Sequence, residues 1–189
     1  MNNDSEINLQ DIYSFLSISM KYPEPSWFTD GYVSNFLTIL KESGFEQDAE
    51  ALTSMAKPDK KVVEDLQVEY TRLFINAVPR VPAPPFGSVY LEGGRSLFGK
   101  TTEKVRDFYR LNGFDIADPS AVPDEITLEL EFLGHLAGQG RYEEEGQFLS
   151  VFFRPWFVQF RDIVVAEAGH PFYVALVRLI DFFTLQEED

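Results

Sequence analysis

The stretch GGRSLFGKTTEKV, Gly93–Val105, decides the fold, because it can be read in two incompatible ways. Gly94, four further residues and then Gly99-Lys100-Thr101 satisfy the phosphate-loop pattern G-x-x-x-x-G-K-[ST] letter for letter. A phosphate loop requires a parallel sheet. One buried strand delivers the chain into the glycine turn, where backbone N–H groups and the next helix dipole hold the phosphates, and a second strand ends in an acid that holds magnesium. Upstream, SVYL (Ser88–Leu91) offers only a short extended piece, and no β-α-β alternation or internal repeat follows elsewhere. The other reading is a loop-to-helix junction: glycines bend the chain, Leu97 and Phe98 pin it to the protein, Thr101 or Thr102 caps a helix, and Lys100 faces solvent.

Outward from this stretch the apolar spacing is helical in both directions. Ile12, Phe15, Leu16, Ser19 and Met20 predict a helix from about Ser5 to Lys21, stopped by Pro23 and Pro25. Val33, Phe36, Leu37 and Leu40 predict a second ending near Gly44, and Ala49, Leu52 and Met55 a third before Pro58. A fourth starts at Asp59 and carries Val62, Val63, Leu66, Tyr70, Leu73 and Phe74 on one stripe. Asn76 to Gly99 is rich in proline and glycine and predicts a long loop without regular helix, whose Phe86, Val89, Tyr90 and Leu91 pack against the protein. The fifth helix follows with Val105, Phe108 and Tyr109 and stops at Gly113. In PDEITLELEFLGHLAGQG, Asp124 and Glu125 are expected in the first turn, with Ile126, Leu130, Leu133 and Ala137 on one face. Phe148, Phe152, Trp156, Phe160 and Val164 keep a four-residue rhythm through Pro155, predicting a kinked helix or two abutting ones, and a last helix starts at Pro171. The expected fold class is all-α: one helical-bundle domain over residues 1–189 with a long Pro/Gly-rich loop between the fourth and fifth helices.

Composition narrows the chemistry. Apolar residues make up 44% of the 189-residue chain and aromatics 15%, enough for a substantial core. There is no cysteine, which excludes disulfides, thiolate metal sites and a cysteine nucleophile. The N-terminal MNNDSEINLQ lacks the basic and apolar regions of a secretory leader, and no apolar run is long enough for a bilayer, so a cytoplasmic location without membrane insertion is expected. A formal charge of −15 repels nucleic acid and anionic lipid and favours cationic partners. The two histidines, His135 and His170, cannot assemble a histidine metal site, and His135 reads as a half-buried structural residue. Glu125 and Glu129 stand one turn apart on one helix face, yet no nucleophile or electrophilic partner accompanies them, so neither catalysis nor a cofactor is expected. Acids beside apolar loop residues suit a peptide with arginines next to an apolar segment, since carboxylates bind guanidinium bidentately and a groove takes the apolar part. Twin-arginine export leaders have that composition.

Four segments carry a family resemblance. EYTRLF (Glu69–Phe74), PAPPFGSVY (Pro82–Tyr90), LFGKTTEKVRDFYRLNGF (Leu97–Phe114) and PDEITLELEFLGHLA (Pro123–Ala137) occur in the order and spacing of the TorD-like redox-enzyme maturation chaperones, which include the DmsD and NarJ types. FLSVFFRPWFVQF and FYVALVRLIDFF also fit, while the first sixty residues agree only in being helical. The resemblance implies an all-helical cytoplasmic chaperone that binds the twin-arginine leader and the apoprotein of a molybdopterin oxidoreductase before export, and it implies no enzymatic activity. Residue by residue, Pro85, Phe86, Ser88, Tyr90 and Gly99 fall on the family's loop pattern. The family's P-D-H segment falls on Pro123-Asp124-Glu125, so Asp124 matches and Glu125 replaces the histidine, adding a carboxylate that suits an arginine. The expected peptide site is therefore Asp124, Glu125 and Glu129 for the arginines, with Pro85, Phe86, Ser88, Tyr90 and Gly99 around them. The runner-up is a nucleotide-binding switch or enzyme using Gly94 to Thr101. Monomer and segment-exchanged dimer are both compatible with the long loops.

Overall fold

In the computed structural model, which describes residues 8–27, 30–56, 60–93 and 98–185, regular structure is helical. In chain order the helices are α1 (Leu9–Ser19), α2 (Asp30–Glu42), α3 (Glu46–Ala51), α4 (Lys60–Tyr70), α5 (Gly87–Leu91), α6 (Lys100–Leu111), α7 (Ile126–Gly138), α8 (Tyr142–Phe148), α9 (Arg154–Glu167) and α10 (Pro171–Thr184). Among the described residues no strand forms, and extended pairing is confined to one antiparallel bridge between Phe86 and Glu125. The all-α reading therefore holds. The chain divides into two compact units, each discontinuous in sequence: residues 8–20 with the described part of 86–157, and the described part of 21–85 with 158–185.

Local chemistry sets the helix ends. Asn8 caps α1, its Oδ1 accepting the Asp11 N–H at 2.9 Å. Residues 5–7 of the expected first helix lie outside the described residues. Gly44 (φ +82°) and Gly113 (φ +73°) adopt the left-handed backbone that closes α2 and α6, and the Phe114 N–H returns to the Tyr109 carbonyl at 3.0 Å. α4 is described from Lys60, Asp59 lying outside, and it runs into a π-helical turn over Thr71–Ile75. A second π turn, Leu149–Phe153, joins α8 to α9 just before Pro155. Proline lacks an N–H and its ring crowds the carbonyl four residues back, so a widened turn lets the helical path continue where a regular one would break.

Three sequence expectations change. The Pro/Gly-rich segment contains a helix, α5, because the prolines stop at Pro85 and Gly87–Leu91 are capped from outside, as described below. Thr101 and Thr102 lie inside α6 and Gly99 is its N-cap, since the Glu92 carboxylate accepts the Thr101 N–H and supplies the acceptor a hydroxyl would have given. Phe98 does not pin the junction: it has φ +65° and is 61% exposed. Leu97 and Gly94 lie outside the described residues.

The first unit is organised on α7, which is apolar on most sides. Gly134 of α7 lets α1 approach until a Cβ there would lie 3.4 Å from the Cβ of Tyr13, and Ser17 of α1 donates to the Thr127 carbonyl at 2.9 Å. Tyr109, Phe132 and Phe148 interlock with ring centroids 4.6–5.8 Å apart, and each such pair adds roughly 0.5–1.5 kcal/mol to the stabilisation from burial alone. In the second unit Tyr70, Phe74 and Tyr173 cluster, the Tyr173 hydroxyl donating to the Leu66 carbonyl at 2.8 Å. Tyr70, Leu73 and Phe74 are core residues there.

Candidate functional site

The proline run ends at Pro85, a buried residue that closes the 21–85 segment of the second unit, and the chain enters the first unit at Phe86. Phe86 is extended, so it can pair with Glu125, and the pairing is made by the Gly87 N–H donating to the Asp124 carbonyl at 2.9 Å. α5 then begins without a side-chain cap of its own. The Asp124 Oδ2 provides one from across the bridge, accepting the Ser88 N–H at 2.6 Å. The expectation that Asp124 and Glu125 occupy the first turn of α7 is corrected: Glu125 is the N-cap of α7 and Asp124 lies outside it, serving α5 instead.

Glu129 enters the same space from α7. Its Oε2 accepts the Trp156 indole N–H at 3.0 Å, and the Trp156 ring stacks on Tyr90 with centroids 5.6 Å apart. Gly87 lies against that indole so closely that a Cβ would sit 3.0 Å from Nε1, which is why the position tolerates no side chain without a shift. Tyr109 closes the far side by donating to the Pro123 carbonyl at 2.9 Å. Asp124, Glu129 and Ser88 are each 0% exposed, whereas Glu125, Phe86 and Tyr90 are half-buried. The carboxylates are thus sealed in, with only Glu125 at the rim.

Burial and the nearby Asp124 charge push the Glu129 carboxyl well above the usual carboxylate range, with the Trp156 N–H pulling the other way. Burial, then Glu129 and Asp124, push the Tyr109 hydroxyl up and keep it a donor. Three buried polar atoms here have no hydrogen-bond partner: Ser88 Oγ, Asp124 Oδ1 and Glu129 Oε1. Buried polar atoms are nearly always paired, and each unpaired one costs about 1–3 kcal/mol, so these three are exceptions with open hydrogen-bonding valences. The Ser88 Oγ makes no hydrogen bond to either acid, and among the described residues no group of three acids or histidines is placed to hold a metal.

Of the sequence-derived residues, Phe86, Ser88, Tyr90, Asp124, Glu125 and Glu129 come together, and Pro85 precedes them directly. Gly99 does not join them. It lies against the Glu92 carboxylate at the start of α6. The hydrogen bonds that Thr101 donates to it hold Glu92 below the usual carboxylate range. In the phosphate-loop reading those donors would face a phosphate; the chain's own carboxylate already takes them. Lys100 is exposed and His135 is half-buried against Phe114, as their sequence contexts suggested. Trp156, Gly87 and Tyr109 were missed as site residues. The only sequence sign of Trp156 was its place in an aromatic rhythm, which reads as core. A hollow of about 360 Å³ under α6, bordered by Arg106, Arg110 and Phe114, shares only Tyr109 with this cluster.

Comparison with known proteins adds a family. The family model described as nitrate reductase delta subunit matches residues 40–162. A Tat proofreading chaperone DmsD of Salmonella typhi is 38% identical over 134 residues, 70% of this chain and 65% of that protein, so the match spans a little under two thirds of the relative's length. A "Probable Tat proofreading chaperone DmsD" of Haemophilus influenzae is 28% identical over 185 residues, covering 93% of this chain and 88% of its own. Among solved structures, one titled a "Putative Redox Enzyme Maturation Protein" from Archaeoglobus fulgidus superposes with a TM-score of 0.62 at 28% identity, over 90% of this chain and 89% of that one. No helix among the described residues is long and apolar enough to cross a membrane.

Proposed function

The chain belongs to the TorD/DmsD/NarJ family, and from that premise we propose that it is a cytoplasmic chaperone that binds the twin-arginine leader and apoprotein of a molybdopterin oxidoreductase and assists cofactor insertion before export. The observation that carries the reading is the carboxyl pair of Asp124 and Glu129, buried, without a cation among the described residues and each with one unpartnered oxygen. A guanidinium presents several N–H donors in a planar fork and brings the positive charge the pair lacks. Glu125 at the rim takes a second arginine, and Phe86 and Tyr90, both half-buried, give the apolar part of a leader a surface. The chemistry supports recognition rather than turnover.

A synthetic leader peptide titrated against the wild type and the Asp124→Asn/Glu125→Gln variant tests this. Asparagine keeps an oxygen for the Ser88 N–H, so the fold is retained while the charge is removed. Charge-assisted hydrogen bonds contribute about 1.5–3 kcal/mol each, so the variant should bind about tenfold or more weakly. Equal affinity for both proteins at every ionic strength would remove these residues from the site. Co-purification with full-length against leader-less client separates leader reading from binding of the apoprotein alone.

A further inference from the structure

Asp124 performs a task that a leader arginine would interrupt. α5 is five residues long, has no side-chain cap of its own, and hangs from Asp124 by two bonds: Gly87 N–H to the carbonyl and Ser88 N–H to Oδ2. Isolated helices this short do not hold together in water, so α5 exists because Asp124 caps it. The same segment seals the carboxyl pair, since Gly87 and Tyr90 lie on the Trp156 indole whose N–H occupies Glu129. The Ser88 and Trp156 N–H groups thus stand where guanidinium N–H groups would go. They satisfy one oxygen of each acid and leave Asp124 Oδ1 and Glu129 Oε1 without partners.

Resting on the leader-binding reading above, we propose that residues 86–91 are an internal lid that competes with the leader for Asp124: α5 is folded and the site shut when the carboxylate is free, and α5 is released when an arginine takes it. A bidentate guanidinium needs both oxygens of a carboxylate, and the Ser88 N–H already holds Oδ2, so lid closure and two-point arginine binding exclude each other. The site then rejects peptides that lack a donor strong enough to displace the Ser88 N–H, and apparent affinity is reduced by the fraction of closed protein.

The bridge supplies the test. Phe86 and Glu125 face each other as a non-hydrogen-bonded antiparallel pair, because the bond is made by the flanking Gly87 and Asp124. Such pairs hold their Cβ atoms at a separation a disulfide spans, and the chain has no other cysteine to interfere. In the Phe86→Cys/Glu125→Cys protein, oxidation should lower affinity for a synthetic twin-arginine leader by about a hundredfold relative to the same protein reduced. In the wild type, saturating leader should speed amide hydrogen exchange across residues 86–91. Equal affinity of the oxidised and reduced forms, or exchange that is unchanged or slowed by leader, overturns the lid while leaving leader binding intact. If the paired-cysteine protein does not fold, the exchange measurement alone decides. A wild type that binds no leader at all overturns the lid together with the function it rests on.

Discussion

Glu129 holds its proton to a higher pH than a solvated carboxyl because a charge there would be stripped of water and set beside Asp124, and a single indole N–H does not offset that. The folded state therefore holds a proton that the unfolded chain has lost above a pH of about 4.3, so stability falls as pH rises from that value through the raised folded one. Glutamine in its place still accepts from Trp156 and does not titrate. Urea unfolding at pH 4.5 and pH 8 should show the wild type losing more stability than Glu129→Gln over that interval. Parallel pH profiles would mean that Glu129 is ionised in the folded protein. The inward direction of this side chain was legible: it lies three residues after Ile126 and four before Leu133, on the same apolar stripe. Asp124 was harder, since its partner Ser88 is far away in sequence and nothing local announces that one loop caps a helix in another.

Among the elements, α10 starts with its own titratable cap. His170 is the N-cap, its Nδ1 accepting the Phe172 N–H at 3.1 Å ahead of Pro171 at the first helical position. Burial lowers the His170 pKa, with Glu69 and Asp65 acting in the opposite direction, so the neutral, accepting ring persists below its ordinary range. With the folded value depressed, the stability this cap contributes is present above about pH 6.5 and is lost as pH falls through the folded value. His170→Asn should keep the cap and lose that acid sensitivity, while His170→Ala should cost about 1 kcal/mol at neutral pH. Thermal midpoints at pH 7.5 and 5.5 measure both, and identical shifts for the two variants would rule out capping. The turn before α10 is held from α4, where Glu69 accepts the Gly169 N–H at 2.5 Å and a two-point contact from Arg72 at 2.9 Å each. Burial alone would push Glu69 up, but these contacts, led by Arg72, hold it low. Glu69→Ala should therefore destabilise by about 2–4 kcal/mol, because it leaves the turn N–H without its acceptor and Arg72 with the Glu167 carbonyl in place of a two-point carboxylate. Element positions were legible from periodicity, including the path through Pro155. The starts of α5 and α6 were not, because their caps, Asp124 and Glu92, lie outside the helices they serve.

At the scale of the whole molecule, the charge of −15 works on folding and on binding with opposite signs. Like charges crowded on a folded chain repel, and salt relieves that repulsion; the same salt screens attraction to a cationic leader. Raising NaCl from about 0.05 to 0.5 M, which shortens the screening length severalfold, should raise the thermal midpoint and weaken leader affinity in the same buffers. A leader with both arginines changed to lysine separates charge from shape. It keeps the charge, so its affinity should fall with salt along the same slope, but it loses the planar fork and should start about tenfold weaker. Lysine and arginine leaders of equal affinity would mean that the acidic surface attracts the leader without the carboxyl pair reading it. An affinity that rises with salt would instead place the contact on the apolar residues alone, since salt strengthens apolar burial while it screens charge.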